Sequence, residues 1–226
     1  MELPRLQKRL TKLKKITGAS DRTGWMVDEV SLVVYSLIKF YKPSLVLQIG
    51  HLWGKSALVS LEALTDGFLM DGERIEKGAL SGDKKFLSFV KIKWPKNTKG
   101  KLLSVDAFPY GNWKKGIAFL QNEYGKERFE FEVEKSDDFF KTRSAELRKI
   151  HGGDTILGIV DGDHSYEACK KDITNMAKLG AGHIIVDDIM WLPHINYICE
   201  EFARHHKEYK LSTFYAYNGL AVLSKR

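Results

Sequence analysis

Cysteine is scarce: Cys169 and Cys199 are the only two in 226 residues. Two are too few for a disulfide framework, and neither has a metal-type neighbour in the sequence. A reducing cytoplasm is the expected compartment. Long apolar runs are also missing, with none approaching the ~20 residues of a membrane span. The opening Met1-Glu-Leu-Pro-Arg-Leu-Gln-Lys is basic but leads into no apolar stretch, so a secretory signal is not expected. No internal repeat is found. Neither the dinucleotide pattern G-x-G-x-x-G nor the phosphate loop G-x-x-x-x-G-K-[ST] occurs.

What is there is enough for one globular domain, since 43% of the residues are hydrophobic. The net charge of +7 is uneven, and residues 1–16 hold most of the excess. Such a balance can serve nucleic acid or an anionic partner. Without aromatic interleaving, it reads better as a solvated helix face. Leu3, Leu6, Leu10, Leu13 and Ile16 recur at helical spacing beneath it. This amphipathic helix is expected to lie against the domain or against a partner subunit.

The rest of the chain alternates strand and helix signals. Val27 to Tyr41 reads as a helix burying Leu32, Val33, Leu37 and Ile38, and Pro43 ends it. The first strand, Ser44–Gly50, opens through His51-Leu-Trp53-Gly54-Lys-Ser56 into a helix over 57–64. A glycine turn at a helix start brings bare N–H groups and a positive dipole end to a ligand. Residues 66–100 are rich in Lys and Gly and form a long insertion of the sort that serves as a lid or binding loop. Then come a strand over 101–106, a helix over 113–124, a strand over 128–134 and a helix over 139–150. Ser136, Asp137 and Asp138 lie between the last two.

The centre of the chain is Ile156-Leu-Gly-Ile-Val160 followed by Asp161-Gly-Asp163-His164-Ser-Tyr166. The same grammar returns in Ile184-Ile-Val186 followed by Asp187-Asp188. Uninterrupted apolar runs suit parallel strands covered on both faces, where ligands gather beyond the carboxyl ends. Two such strands side by side bring Asp161, Asp163, Asp187 and Asp188 around one crevice, a plausible seat for a hard divalent cation. The plainer alternative is that each Asp caps the helix that follows. Helices over 166–179 and 193–209 follow, with a closing hairpin of 210–217 and 220–224 turning at Asn218-Gly219. The fold class is therefore α/β: a doubly wound, mostly parallel, seven-stranded sheet with an antiparallel C-terminal hairpin.

Strand–Gly50-x-x-x-Gly54-x-Ser56, Val105-Asp106, Asp161-Gly-Asp-His-Ser-Tyr-Glu167 and Gly182-x-x-x-x-Asp187-Asp188 occur in that order. With the closing hairpin, they resemble the class I S-adenosylmethionine-dependent methyltransferases, of Rossmann-like fold. More narrowly they resemble the metal-dependent small-molecule O-methyltransferases, which include macrocin, cephalosporin-hydroxylase and catechol O-methyltransferase relatives. The resemblance covers residues 24–226, leaving 1–23 as a basic helix and loop and 66–100 as an insert. It implies that Gln48, Gly50, Trp53, Gly54 and Ser56 line the methionine end of S-adenosylmethionine, where the family usually has Glu or Asp in place of Gln48. Asp106 would hold the ribose hydroxyls, Ser136 and Asp137 would border the adenine, and Asp161 would touch both cofactor and metal. Asp161, Asp187 and Asp188 match the ligands of a divalent cation, Mg²⁺ in the family. His164 or Asp163 falls where relatives carry a general base, and a hydroxyl on a small molecule is the implied acceptor. Two rivals stand beside this reading: a non-catalytic binding protein on the same fold, prompted by Gln48, and a nucleic-acid methyltransferase, prompted by the basic N-terminus. The second is disfavoured because no Asn/Asp-Pro-Pro-Tyr-type motif is present. A homo-oligomer formed through the N-terminal helix is a further expectation.

Overall fold

The computed structural model describes residues 3–19, 28–65, 100–109, 111–152, 156–215 and 217–226. Most of the 66–100 insert therefore lies outside the described residues. The elements run α1 (Leu3–Thr17), α2 (Asp28–Tyr41), β1 (Leu45–Ile49), α3 (Lys55–Thr65), β2 (Lys101–Val105), α4 (Trp113–Tyr124), β3 (Phe129–Glu132) and α5 (Ser136–His151). They continue with β4 (Ile156–Val160), α6 (Tyr166–Leu179), β5 (His183–Asp187), α7 (Pro193–His205), β6 (Tyr209–Phe214) and β7 (Leu220–Lys225).

The expected seven strands form one sheet in the order β3-β2-β1-β4-β5-β7-β6. The first five are parallel, and β7 runs antiparallel to both β5 and β6. All five residues of β1 and of β4 are buried, as strands covered on both faces require, and in β1 the burial includes the polar Gln48. Alternate side chains feed two cores. Leu45, Leu47 and Ile49 pack with residues of α5, α6 and α7, while Val46 packs with residues of α1 to α4.

Leu13 and Leu10 of α1 are buried in that second core, and Leu6 and Ile16 pack against it. The helix thus lies on its own domain, and Leu6, Leu10, Leu13 and Ile16 share a core with the rest. Arg9 fastens it, bonding to the buried Glu62 of α3 and, at 3.1 Å, to the hydroxyl of Tyr124 in α4.

Four boundaries or faces differ from expectation. Helix α2 buries Val30, Val34, Tyr35 and Ile38, so Leu32, two residues from either neighbour on that stripe, points outward at 49% exposed. Helix α5 begins at Ser136 rather than Phe139, because Asp137 and Asp138 suit the positive end of a helix. Helix α7 stops at His205, freeing Tyr209 to start β6, where its buried hydroxyl donates to the Ala181 carbonyl at 2.6 Å. The hairpin register pairs Phe214 with Leu220, which leaves a five-residue connection in place of a two-residue turn. That connection folds over the β5–α7 loop, with the Met190 N–H donating to the Asn218 carbonyl at 2.6 Å. Among the described residues, no helix is long and apolar enough to cross a membrane.

Candidate active site

Parallel register brings the strand ends level. Ile49 pairs with Val105 on one side and Val160 on the other, and Val160 pairs with Val186. The residues one step further on, Gly50, Asp106, Asp161 and Asp187, therefore stand along one edge. They line a cleft of about 840 Å³ that also takes in Ser136, Asp137, Asp163, His164 and Asp188. It runs from the end of β3 to the end of β5, four interstrand steps or roughly 19 Å. The switch in strand order between β1 and β4 falls inside it, where doubly wound sheets bind ligands.

Gly50 is required at the centre. Its φ is +90°, and a Cβ there would sit 1.9 Å from the Asp161 carbonyl oxygen. Asp106 shapes the turn that follows: its Oδ2 accepts from the N–H groups of His51 at 2.9 Å and Leu52 at 3.0 Å, and its Oδ1 from Phe108 N–H at 2.8 Å. Three N–H donors leave a carboxylate with further acceptor capacity facing the cleft. His51 is buried beside it, with Nδ1 3.0 Å from Ser104 Oγ, and burial pushes its pKa down to about 4.

Four residues expected to touch the methionine end, Gln48, Trp53, Gly54 and Ser56, do not line the cleft. They form its backing. The fully buried Gln48 donates through Nε2 to the Gly50 carbonyl and to Ser56 Oγ, so its amide braces the β1–α3 turn. Trp53 packs against Gly111, where a Cβ would come within 2.3 Å of the indole. Gly54 takes φ +80° against the His51 ring.

At the other end, the acids converge on a histidine. Ligand atoms of Asp161, His164 and Asp188 all lie within 4.8 Å of one another. His164 Nδ1 is 3.2 Å from Asp188 Oδ2, and its Nε2 is 3.7 Å from Asp161 Oδ1. Hydrogen bonding to Asp161 and the charges of Asp161, Asp188 and Asp163 hold the ring above its usual pKa, against the effect of burial. Asp187 lines the same cleft but is buried, and its Oδ1 accepts from the Asp188 N–H at 2.9 Å. Burial, then repulsion from Asp161 and Asp188, holds the Asp187 carboxyl well above the ordinary range. Burial raises Asp161 and Asp188 as well. Asp188 adopts φ +63°, and its Oδ1 is buried without a hydrogen-bond partner. Mutually repelling carboxylates and one orphaned oxygen make a donor set that fits a hard divalent cation. Asp163 is turned to the backbone: its Oδ1 accepts from Ser165 N–H at 2.9 Å, at the start of α6.

Sequence reasoning missed several cleft residues. Asp172 of α6 lines the β3 end and is 2% exposed. An acid on the apolar stripe of Cys169, Ile173 and Met176 is the signal that marks it. Phe108 and Trp191 stand at the mouth, 80% and 71% exposed. His194 of α7 donates from Nε2 to the His164 carbonyl at 2.6 Å and so fixes that loop. Asn218 reaches the cleft from the hairpin connection.

No protein-family model matches this sequence, and no curated protein does. Among solved structures, the chain is similar to an O-methyltransferase from Bacillus cereus in complex with SAH, at 11% identity and a TM-score of 0.64, over 100% of this chain and 92% of that one. It is similar to the O-methyltransferase TomG from Streptomyces achromogenes in complex with SAM, which is involved in tomaymycin synthesis, at 12% identity and TM-score 0.61, over 100% and 99%. A methyltransferase from Geobacter sulfurreducens gives 11% identity and TM-score 0.60, over 100% and 90%. The chain therefore has the fold of the class I S-adenosylmethionine-dependent methyltransferases. Identities this low carry the fold and no more.

Proposed function

We propose that this protein is an S-adenosylmethionine-dependent O-methyltransferase that acts on a hydroxyl of a small molecule with the help of a divalent cation, Mg²⁺ by the chemistry of its donors. The observation that carries the reading is one cleft across the ends of β1, β2, β4 and β5, with the ribose-type acceptor Asp106 towards one end and an acid cluster at the other. SAM and SAH in the solved structures of like fold support the choice of cofactor.

In this reading, Gly50 lets the ends of β1 and β4 close together and lines the floor under the cofactor, Asp106 accepts from the ribose hydroxyls, and Ser136 and Asp137 border the base. Gln48, Trp53, Gly54 and Ser56 keep the turn in shape from behind. Asp161, Asp187 and Asp188 hold the cation. When bound, the cofactor supplies an electrophilic methyl group and the cation orients and acidifies the acceptor hydroxyl. His164 is the better base of the pair, because its ring lies within the acid cluster whereas Asp163 is engaged with Ser165 N–H. A neutral imidazole can take the acceptor's proton, and Asp161 and Asp188 then stabilise the imidazolium. Trp191 and Phe108 offer flat apolar walls at the mouth, suited to a planar acceptor. Catalysis by in-line displacement depends mainly on such positioning.

The test is calorimetry with S-adenosylmethionine and S-adenosylhomocysteine, then turnover on a panel of catechols and sugar diols with Mg²⁺ or with chelator. Binding of both cofactor forms and chelator-sensitive methylation are expected. Absence of binding sinks the cofactor assignment, and full-rate turnover in chelator sinks the metal.

A further inference from the structure

The β3 end of the cleft holds a carboxylate that the reading above leaves without a task. Asp172 is 2% exposed, and it lines the cleft beside Ser136 and Asp137, the first residues of α5. Ser136 faces it from the start of α5, and the Asp172 Oδ1 is buried with no hydrogen-bond partner. A buried carboxylate oxygen calls for a donor. The charged groups around it do not answer: Asp137 and Asp163 are acids, and Lys171 is paired with Asp137. Burial pushes the Asp172 pKa up to about 6, which still leaves an acceptor at pH 7.5.

Strand order says what arrives there. If Asp106 at the end of β2 takes the ribose, the base attached to it extends either towards β1 and the acid cluster or towards β3. The first direction belongs to the methyl-bearing arm, which has to reach the β4–β5 end. The base is left with β3 and its continuation into Ser136, opposite Asp172. Of the groups on a purine edge, an exocyclic amine offers hydrogens to a carboxylate, whereas an exocyclic oxo group would set lone pairs against it.

We infer that Asp172 is a specificity-determining residue that accepts a hydrogen bond from the 6-amino group of the cofactor's adenine and thereby rejects a 6-oxopurine; this rests on reading the cleft as an S-adenosylmethionine site. Sites built to hydrogen-bond one polar group discriminate strongly against an analogue that leaves that bond unmade.

The experiment compares affinities for S-adenosylhomocysteine and its 6-oxo analogue, S-inosylhomocysteine, by calorimetry on wild type, Asp172→Asn and Asp172→Leu. Wild type should prefer the adenine ligand by more than tenfold. Asp172→Asn can present either end of its amide, so the preference should fall to threefold or less. Asp172→Leu should weaken the adenine ligand most and bring the ratio near one. If Asp172→Asn weakens both ligands equally and keeps the wild-type ratio, the residue merely ties α6 to Ser136 and the proposal is overturned. Wild type that binds both ligands equally overturns the proposal alone. Wild type that binds neither overturns the cofactor site and the proposal with it. The wild-type ratio needs no variant, so a substitution that fails to fold leaves the test intact.

Discussion

Two buried titrating groups should pull the stability of this protein in opposite directions over nearly the same pH range. His51 is held neutral, with its pKa pushed by burial from an ordinary ~6.5 to about 4. As the pH falls through that window, the unfolded chain binds a proton that the folded one refuses, so stability is lost. A shift of ~2.5 units at 1.36 kcal/mol each amounts to about 3 kcal/mol by pH 4. Asp172 does the reverse. Its pKa is raised by burial from ~3.8 to about 6, so the folded chain takes up a proton first. Stability then rises by about 3 kcal/mol as the pH drops from 6 to below 4. In wild type the two largely cancel. Asp172→Asn keeps the shape and removes one slope; its melting temperature should match or exceed that of wild type at pH 7.5. Between pH 7.5 and pH 4 it should lose roughly 6–12 °C relative to wild type, at 2–4 °C per kcal/mol for a chain of this size. His51→Gln should diverge the other way by a similar amount. Calorimetric melts of all three proteins between pH 4 and 7.5, in chelator, isolate these differences because every other titrating group is common to them. Parallel curves for wild type and Asp172→Asn across that range would falsify the assignment of Asp172, and parallel curves for wild type and His51→Gln would refute that of His51.

Asp188→Asn should abolish methyl transfer while leaving S-adenosylhomocysteine affinity within about threefold of wild type, and chelation should reproduce this reversibly; turnover and calorimetry side by side check it. Asp106→Asn keeps one oxygen, which can accept from the His51 and Leu52 N–H groups, but loses the charge and the acceptor for Phe108 N–H, so cofactor affinity should drop at least tenfold, on the order of 1.5–3 kcal/mol, with a smaller fall in melting temperature than for Asp106→Ala. Asp106→Ala should weaken binding and also lower the melting temperature, since it strips acceptors from His51, Leu52 and Phe108 N–H groups. Gly50→Ala drives a methyl into the Asp161 carbonyl at a left-handed φ. A folded Gly50→Ala protein that binds cofactor normally would show the β1 turn to be more yielding than its geometry indicates.

The legible part of the fold was whatever one element could declare alone. Apolar runs that end in acids gave β4 and β5 with the acids at their carboxyl ends, because both faces of those strands are covered and the first polar residue marks the edge. Features that need two elements stayed hidden. Leu32 follows helical spacing as well as Val34 does, and only the sheet beneath decides which is buried. Asp172 shares an apolar stripe, and its meaning comes from Ser136 on another helix. Gln48 is a contact residue by the family resemblance, whereas the pleat turns it into the core, where its amide meets Gly50 and Ser56. Asn218-Gly219 has the composition of a tight turn, but Tyr217 at φ +51° and the packing of Gly219 on Met190 stretch the connection over the cleft.

The central pairing of β1 with β4 also sets the order in which this protein can come alive. Residue 45 lies beside residue 156, and residue 49 beside residue 160, with α3, β2, α4, β3 and α5 threaded between them in the chain. Closing so long a loop costs entropy before any neighbouring contact repays it, so this step belongs among the slow ones of folding. Gly50 and Asp161 become neighbours only when it is complete, and β5 and β7 can add to the sheet only on the far edge of β4. A refolding chain should therefore regain helix signal well before it can bind cofactor, and the delay between the two times the closing of β4 onto β1.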